Sequence, residues 1–228
     1  MEQGRARGVS EEVLLGVAQA LQLDETELNH LFGLAHALGS GTRRRSSAGA
    51  IPTVRPSLQV LLETITGGAA IMMSEHGDVL GANAIGRALY ADMFAVPGPL
   101  NMPKFIFLDP AARALHPDWE EVADTVIALL RAAAGRNPFA RSLTDVVGEL
   151  CTRSDYFRTG WAKQNVHPLT TGHKRFRHRH VGDLSLDYEY LNIADGQGIV
   201  ILTYFAKEGT PAHDGLQLLA AAAQLTQR

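Results

Sequence analysis

A single cysteine, Cys151, excludes an internal disulfide, and without a second thiol there is no Cys pair to hold a structural metal. No uninterrupted apolar run approaches the roughly 18 to 20 residues a membrane helix needs, and the polar, charged first residues lack the apolar stretch of a signal peptide. Nothing therefore demands an oxidising compartment or a bilayer, and a cytoplasmic setting fits. Charge of one sign is also missing, since 21 Lys and Arg against 24 Asp and Glu leave a formal charge of -3. That balance supplies no pull of the whole molecule toward a polyanion, so contact with nucleic acid needs a local basic patch. G-x-S-x-G, P-loop, G-x-G-x-x-G and H-E-x-x-H segments are absent. Asp155 and Asp187 have no evident base or nucleophile companion. An enzyme is not expected, and no cofactor is implied.

What is present suits a folded protein. Hydrophobic residues make up 46% of the 228, enough for a core, and the length accommodates a small helical module followed by a medium domain. Ser10 can cap a helix carrying Val13, Leu14, Val17, Ala18 and Leu21 on one face. Asp24 with Glu27 forms a capping-box pattern ahead of a second helix lined by Leu28, Leu31, Phe32, Ala35 and Leu38. The stretch GSGTRRRSSAGAIPTVRP, residues 39–56, then has the composition of an exposed connector. Its triplet Arg43, Arg44 and Arg45 reads either as a phosphate contact or as a solvated linker. The organisation expected is an all-α module over residues 1–38, a linker over 39–55, a second domain over 56–210 and a weakly helical tail over 211–228.

Past Pro56 the pattern changes. RPSLQVLLE opens a helix with Leu58, Leu61, Leu62 and Ile65 on one side. Residues 69–94 read as strand, turn at His76 to Asp78, strand, and a helix starting near Asn83. Asp118 with Glu121 is a further capping box, ahead of Trp119, Val122, Ala123, Val126, Leu129, Leu130 and Ala133 at helical spacing. The same placement at a helix start explains Asp118, Glu120 and Glu121 without acid or base chemistry. Residues 142–166 yield one or two helices, with Val146, Val147, Leu150 and Cys151 on one face and Phe157 and Trp161 on another. LSLDYEYLNI alternates apolar and polar as a half-buried strand and pairs with FRHRHV across Gly182, while GIVILTYFA is apolar enough for a central strand. The second domain is therefore α+β, with strands at both ends and helices between.

Several segments in this order resemble the MmyB-like group of transcriptional regulators, which join an XRE-type helix-turn-helix domain to a PAS-like sensory domain. They are EQGRARGVSEEVL (2–14), LDETELNHLFGLA (23–35), RPSLQVLLE (55–63), FLDPAARALHPDWEEVA (107–123), VGELCTRSDYFRTGWAKQNV (147–166) and LDYEYL (186–191). The likeness spans nearly the whole chain. It implies an antiparallel sheet curled with helices around a cavity for a small apolar, fatty-acid-like ligand, and a homodimer that meets DNA through its helix-turn-helix part. Measured against the family, residues 1–38 hold only the two trailing helices of that domain, with Met1 standing near the end of the recognition helix. The expectation is a chain whose amino-terminal part is shortened, in which Gln3, Arg5 and Arg7 either touch phosphates or are solvated. A stand-alone ligand-binding or dimerisation module without DNA affinity is the alternative.

If the cavity exists, flexible Met and aromatic side chains are its candidate wall: Met72, Met73, Phe94, Phe105, Phe107, Trp119, Trp161, Tyr188, Tyr190, Tyr204 and Phe205. The competing reading of each is a filled core. HKRFRHRH, residues 173–180, is the most distinctive charged stretch. Arg175, Arg177 and Arg179 alternate and can hold a carboxylate or phosphate from one side of a strand. Lys174, Phe176, His178 and His180 fall on the other side. The alternative is an edge strand whose charges discourage aggregation. His178 and His180 lack the further ligands a metal site needs, so no metal is expected.

Overall fold

The computed structural model of the protein describes residues 54–137, 140–163, 170–194 and 198–226, with Val13 and Gly16 besides. The helices expected within residues 10–38, the arginine triplet, and Gln3, Arg5 and Arg7 thus lie outside the described residues. So do residues 39–53 of the linker.

Nine helices and five strands occur among the described residues, and the α+β class expected from the sequence is the class formed. The chain runs through α1 (Pro56–Thr64), β1 (Ala69–Ser74), β2 (Val79–Ala82), α2 (Ala84–Leu89) and α3 (Ala91–Phe94). It continues through α4 (Met102–Leu108), α5 (Pro110–Leu115), α6 (Trp119–Arg136), α7 (Arg141–Arg153) and α8 (Asp155–Ala162), then closes with β3 (Thr171–His178), β4 (Gly182–Asn192), β5 (Ile199–Phe205) and α9 (Pro211–Thr226). The sheet is antiparallel throughout, in the order β2-β1-β5-β4-β3.

Alternation of side chains gives this sheet two apolar faces in its centre. Ala69, Ile71, Met73, Leu202 and Tyr204 point into the main core with Phe176, Leu184, Leu186 and Tyr188. Ala70, Met72, Ile199 and Ile201 point the other way, where Leu58 and Leu62 of α1 cover them. That is why β1 is buried along its whole length. Of the side expected to face inward on α1, Leu58 and Leu62 are buried, whereas Leu61 is exposed.

Asn83 fixes the junction between strand and helix. Its Oδ1 accepts from Gly86 N at 2.7 Å and Ala70 N at 3.0 Å, and its Nδ2 donates to the carbonyls of Ile65 at 2.7 Å and Gly68 at 2.8 Å. One buried amide thus caps α2 and ties it to β1. The approach is so close that a Cβ on Gly86 would sit 2.5 Å from the Ala70 carbonyl.

The hairpin expected across Gly182 forms, with Phe176 opposite Leu184 and Lys174 opposite Leu186. Gly182 itself has φ +76°, a turn conformation that glycine adopts without strain. α6 starts at Trp119 as the spacing predicts, but the Asp118 side chain does not cap it. Its carboxylate instead receives the Arg175 guanidinium, a partner 57 residues away. The sequence pattern favours the nearby backbone amides, and the charged fork of arginine outcompetes them. The carboxy-terminal helix also differs from a loose tail, because it packs on α2 and β4 and buries Ala212, Leu216 and Leu219 in the main core.

Candidate functional site

One side of α6, the short helix α8 and strand β3 do not close on one another. They leave a cavity of about 1130 Å³, walled by Val122, Ile127 and Ala128 of α6, by Tyr156 and Gly160 of α8, and by residues 171–175 of β3 with Tyr188 of β4 behind them. Its size matches that of small-molecule sites, a few hundred to about a thousand Å³. Two glycines shape it. A Cβ on Gly160 would meet Ile127 Cδ1 at 2.5 Å, so α8 can approach α6 only there, and one on Gly172 would stand 3.0 Å from the Tyr188 hydroxyl.

Lys174 is the buried cation of this space, which the exposed Lys163 and Arg175 also line. It lies on the inward side of β3 with Phe176 and His178, each separated from the next by an exposed residue. Only 8% of it is exposed, although lysine is rarely this deep without a partner. Its Nζ stands 4.3 Å from the Tyr188 ring centroid and 5.8 Å from those of Tyr190 and Tyr204. Burial pushes its ammonium down to about 8, so it remains mostly charged at neutral pH.

Around it the polar groups are neutral. Tyr90 and Tyr204 share a buried hydrogen bond of 2.8 Å between their hydroxyls, and burial raises both phenols far above the usual tyrosine range. His116, at the end of α5, is fully buried against Tyr90 and Phe176, with ring centroids 5.9 and 4.9 Å away. Neither of its ring nitrogens has a hydrogen-bond partner among the described residues. Burial, reinforced by the charge on Lys174, pushes its pKa down to about 3, which keeps the imidazole neutral.

The rim is charged, and several of its groups are paired with one another. Asp118 holds Arg175, Asp124 accepts from the Tyr156 hydroxyl at 3.1 Å, and Asp155 meets Arg158 at 2.8 Å. The Thr125 hydroxyl is turned back to the Glu121 carbonyl at 2.8 Å. The arrangement can hold a molecule with an apolar part on Val122, Ile127 and Ala128 and a polar part at Lys174.

The residues singled out by sequence are dispersed. Tyr188 and Arg175 line the cavity, and Tyr190 and Tyr204 surround Lys174. Met73 and Phe105 are in the main core, while Met72 faces α1 on the other side of the sheet. Phe107, Trp119, Phe157 and Trp161 form an aromatic cluster, with the Trp119 indole donating to the Ile106 carbonyl at 2.8 Å. Phe94 lies under Arg87, and Phe205 is exposed. Arg177 and Arg179 are exposed and meet Asp183 at 3.5 Å and Asp92 at 3.1 Å. His178 donates from Nε2 to the Ala88 carbonyl at 3.1 Å and accepts at Nδ1 from the His180 amide at 3.3 Å, so both ring nitrogens are engaged. No group of three metal-ligating side chains gathers among the described residues.

Asp187 does have a companion, contrary to the expectation from sequence: His173, which lines the cavity, meets the Asp187 carboxylate at 3.0 Å through Nδ1 and the Ser185 hydroxyl through Nε2, because alternate residues of the paired strands β3 and β4 share the exposed face. A sheet flanked by helices, with a lateral cavity, is the architecture of a ligand-binding module. Residues 54–219 match the MmyB-like transcription regulator ligand binding domain, and the chain belongs to that family. This is a regulatory family and not a family of enzymes. No curated protein matches the chain. Among the described residues no helix is long and apolar enough to cross a membrane.

Proposed function

We propose that the protein is the ligand-sensing part of a cytoplasmic, homodimeric DNA-binding transcription regulator, whose sensory domain takes a small apolar, fatty-acid-like molecule between α6, α8 and β3. The observation that carries this reading is the cavity of about 1130 Å³ inside the segment shared with the regulator family. Binding there favours whichever conformation presents the better-formed cavity, and a DNA-binding module responds to that change in population.

Thermal unfolding with and without dodecanoate, paired with native mass spectrometry, tests it. At a ligand concentration 100 times the Kd the stabilisation is about 2.7 kcal/mol, which for a domain of this size raises Tm by about 5 to 10 °C. A chain that takes up no lipid-like adduct and shows no rise with fatty acids, alcohols or sterols has a cavity without a ligand of this class, and the reading fails.

A further inference from the structure

Among the described residues Lys174 is a buried charge without a counter-charge. Among the described residues no carboxylate lies within ion-pair distance of its Nζ, and its only neighbours of opposite polarity are the faces of Tyr188, Tyr190 and Tyr204. Buried charges in folded proteins are ordinarily paired, because desolvation is expensive unless an opposite charge offsets it. The carboxylates nearest the cavity do not turn inward to do so. Asp118, Asp124 and Asp155 are held at the rim by Arg175, Tyr156 and Arg158, and Glu121, the fourth carboxylate lining the cavity, is exposed and forms no ion pair with Lys174. The three arginines of the same strand region are already taken: Arg175, which also lines the cavity, is exposed and held by Asp118, Arg177 is exposed and meets Asp183, and Arg179, beyond the end of β3, meets Asp92. What remains is an ammonium at the inner wall of a cavity whose α6 side presents Val122, Ile127 and Ala128 among Glu121, Asp124 and Thr125.

We propose that Lys174 is the headgroup anchor of this cavity, so that the site selects a carboxylate-bearing amphiphile over neutral or cationic molecules with the same hydrocarbon chain. This rests on the reading of the cavity as the ligand site and adds to it the residue that sets headgroup specificity. The ligand carboxylate supplies the missing counter-charge, and the alkyl chain lies on Val122, Ile127 and Ala128. Lysine suits the task better than arginine in this space, because a compact ammonium fits over the tyrosine faces and keeps its N–H groups free for an incoming acceptor. At neutral pH burial leaves the amine mostly protonated, as the anchoring requires.

The test is calorimetric titration of the full chain with dodecanoate, dodecanol and dodecyltrimethylammonium, each below its micelle concentration. Wild type should bind dodecanoate about tenfold or more tighter than dodecanol, the scale of one charge-assisted hydrogen bond, and dodecyltrimethylammonium weakest. Lys174→Met, which keeps the length and apolar character of the side chain, should lose that preference and bind dodecanol at least as well as wild type does. Should Lys174→Met fold poorly, Lys174→Gln and the wild-type headgroup series decide the matter. Equal affinities for all three probes in wild type, or an unchanged anion preference in the variants, overturn the anchor while leaving the cavity as a ligand site. Failure of every probe to bind wild type overturns the ligand site, and the anchor with it.

Discussion

Replacing Lys174 by Met should stabilise the unliganded protein at neutral pH. Burial lowers the lysine from its ordinary 10.5 to about 8, and at 1.36 kcal/mol per pH unit that gap corresponds to about 3 kcal/mol of destabilisation. Attraction to the three tyrosine faces returns about 1 to 2 kcal/mol, so the variant should gain about 1 to 2 kcal/mol. The pH dependence follows from proton binding. Between about 8 and 10.5 the unfolded lysine is protonated and the folded one is not, so wild-type stability rises with pH through this window. Below about 8 both states are protonated and the penalty is complete. The advantage of Lys174→Met should therefore be full at pH 7 and shrink by pH 9.5. His116 is neutral throughout this range, and the phenols of Tyr188, Tyr190 and Tyr204 are all raised by burial, so the difference between the two proteins isolates the lysine. Urea denaturation of both proteins at the two pH values measures it. A variant at least 1 kcal/mol less stable than wild type at pH 7, or a difference that does not change with pH, would refute the picture of an uncompensated interior charge.

Two further perturbations address the frame around the cavity. Asn83→Ala removes a helix cap and strands the Ile65 and Gly68 carbonyls and the Ala70 amide, so it should cost about 3 to 5 kcal/mol; a loss under about 1 kcal/mol by urea midpoint would mean that water replaces the amide readily. Tyr204→Phe should cost about 1 to 3 kcal/mol by leaving the Tyr90 hydroxyl buried and unpaired, whereas removing both hydroxyls in Tyr90→Phe with Tyr204→Phe should recover most of it. A double-mutant cycle measures the coupling, and strictly additive losses would contradict the pairing.

Much of the fold could be read from periodicity, because the relevant contacts repeat along the chain. The alternation in residues 184–190 gave β4 its inward side, and Gly182 marked the hairpin. The apolar spacing after Trp119 gave α6. Where the partner lies far away in sequence, pattern was silent. Asp118 reads as a helix cap until Arg175 is placed beside it. The final helix reads as a weak Ala-rich tail until α2 and β4 supply the surface for Leu216 and Leu219.

The cavity was harder still, since composition cannot separate aromatics that fill a core from those that line a space. Phe105 and Met73 fill, Met72 serves the opposite face, and Tyr188 lines. The signal for Lys174 was nevertheless present: in HKRFRHRH it shares its phase with Phe176 and His178. A lysine in register with an apolar residue on a half-buried strand points to an interior charge.

The place of β3 at the border of the sheet bears on the proposed ligand site. It is hydrogen-bonded to β4 alone, so shifting it loosens one ladder, whereas shifting β5 would disrupt two. Breathing motions are drawn from the least secured parts of a structure. On the proposed reading of the cavity, exchange of a ligand past β3 would leave the central strands and α1 behind them in alignment.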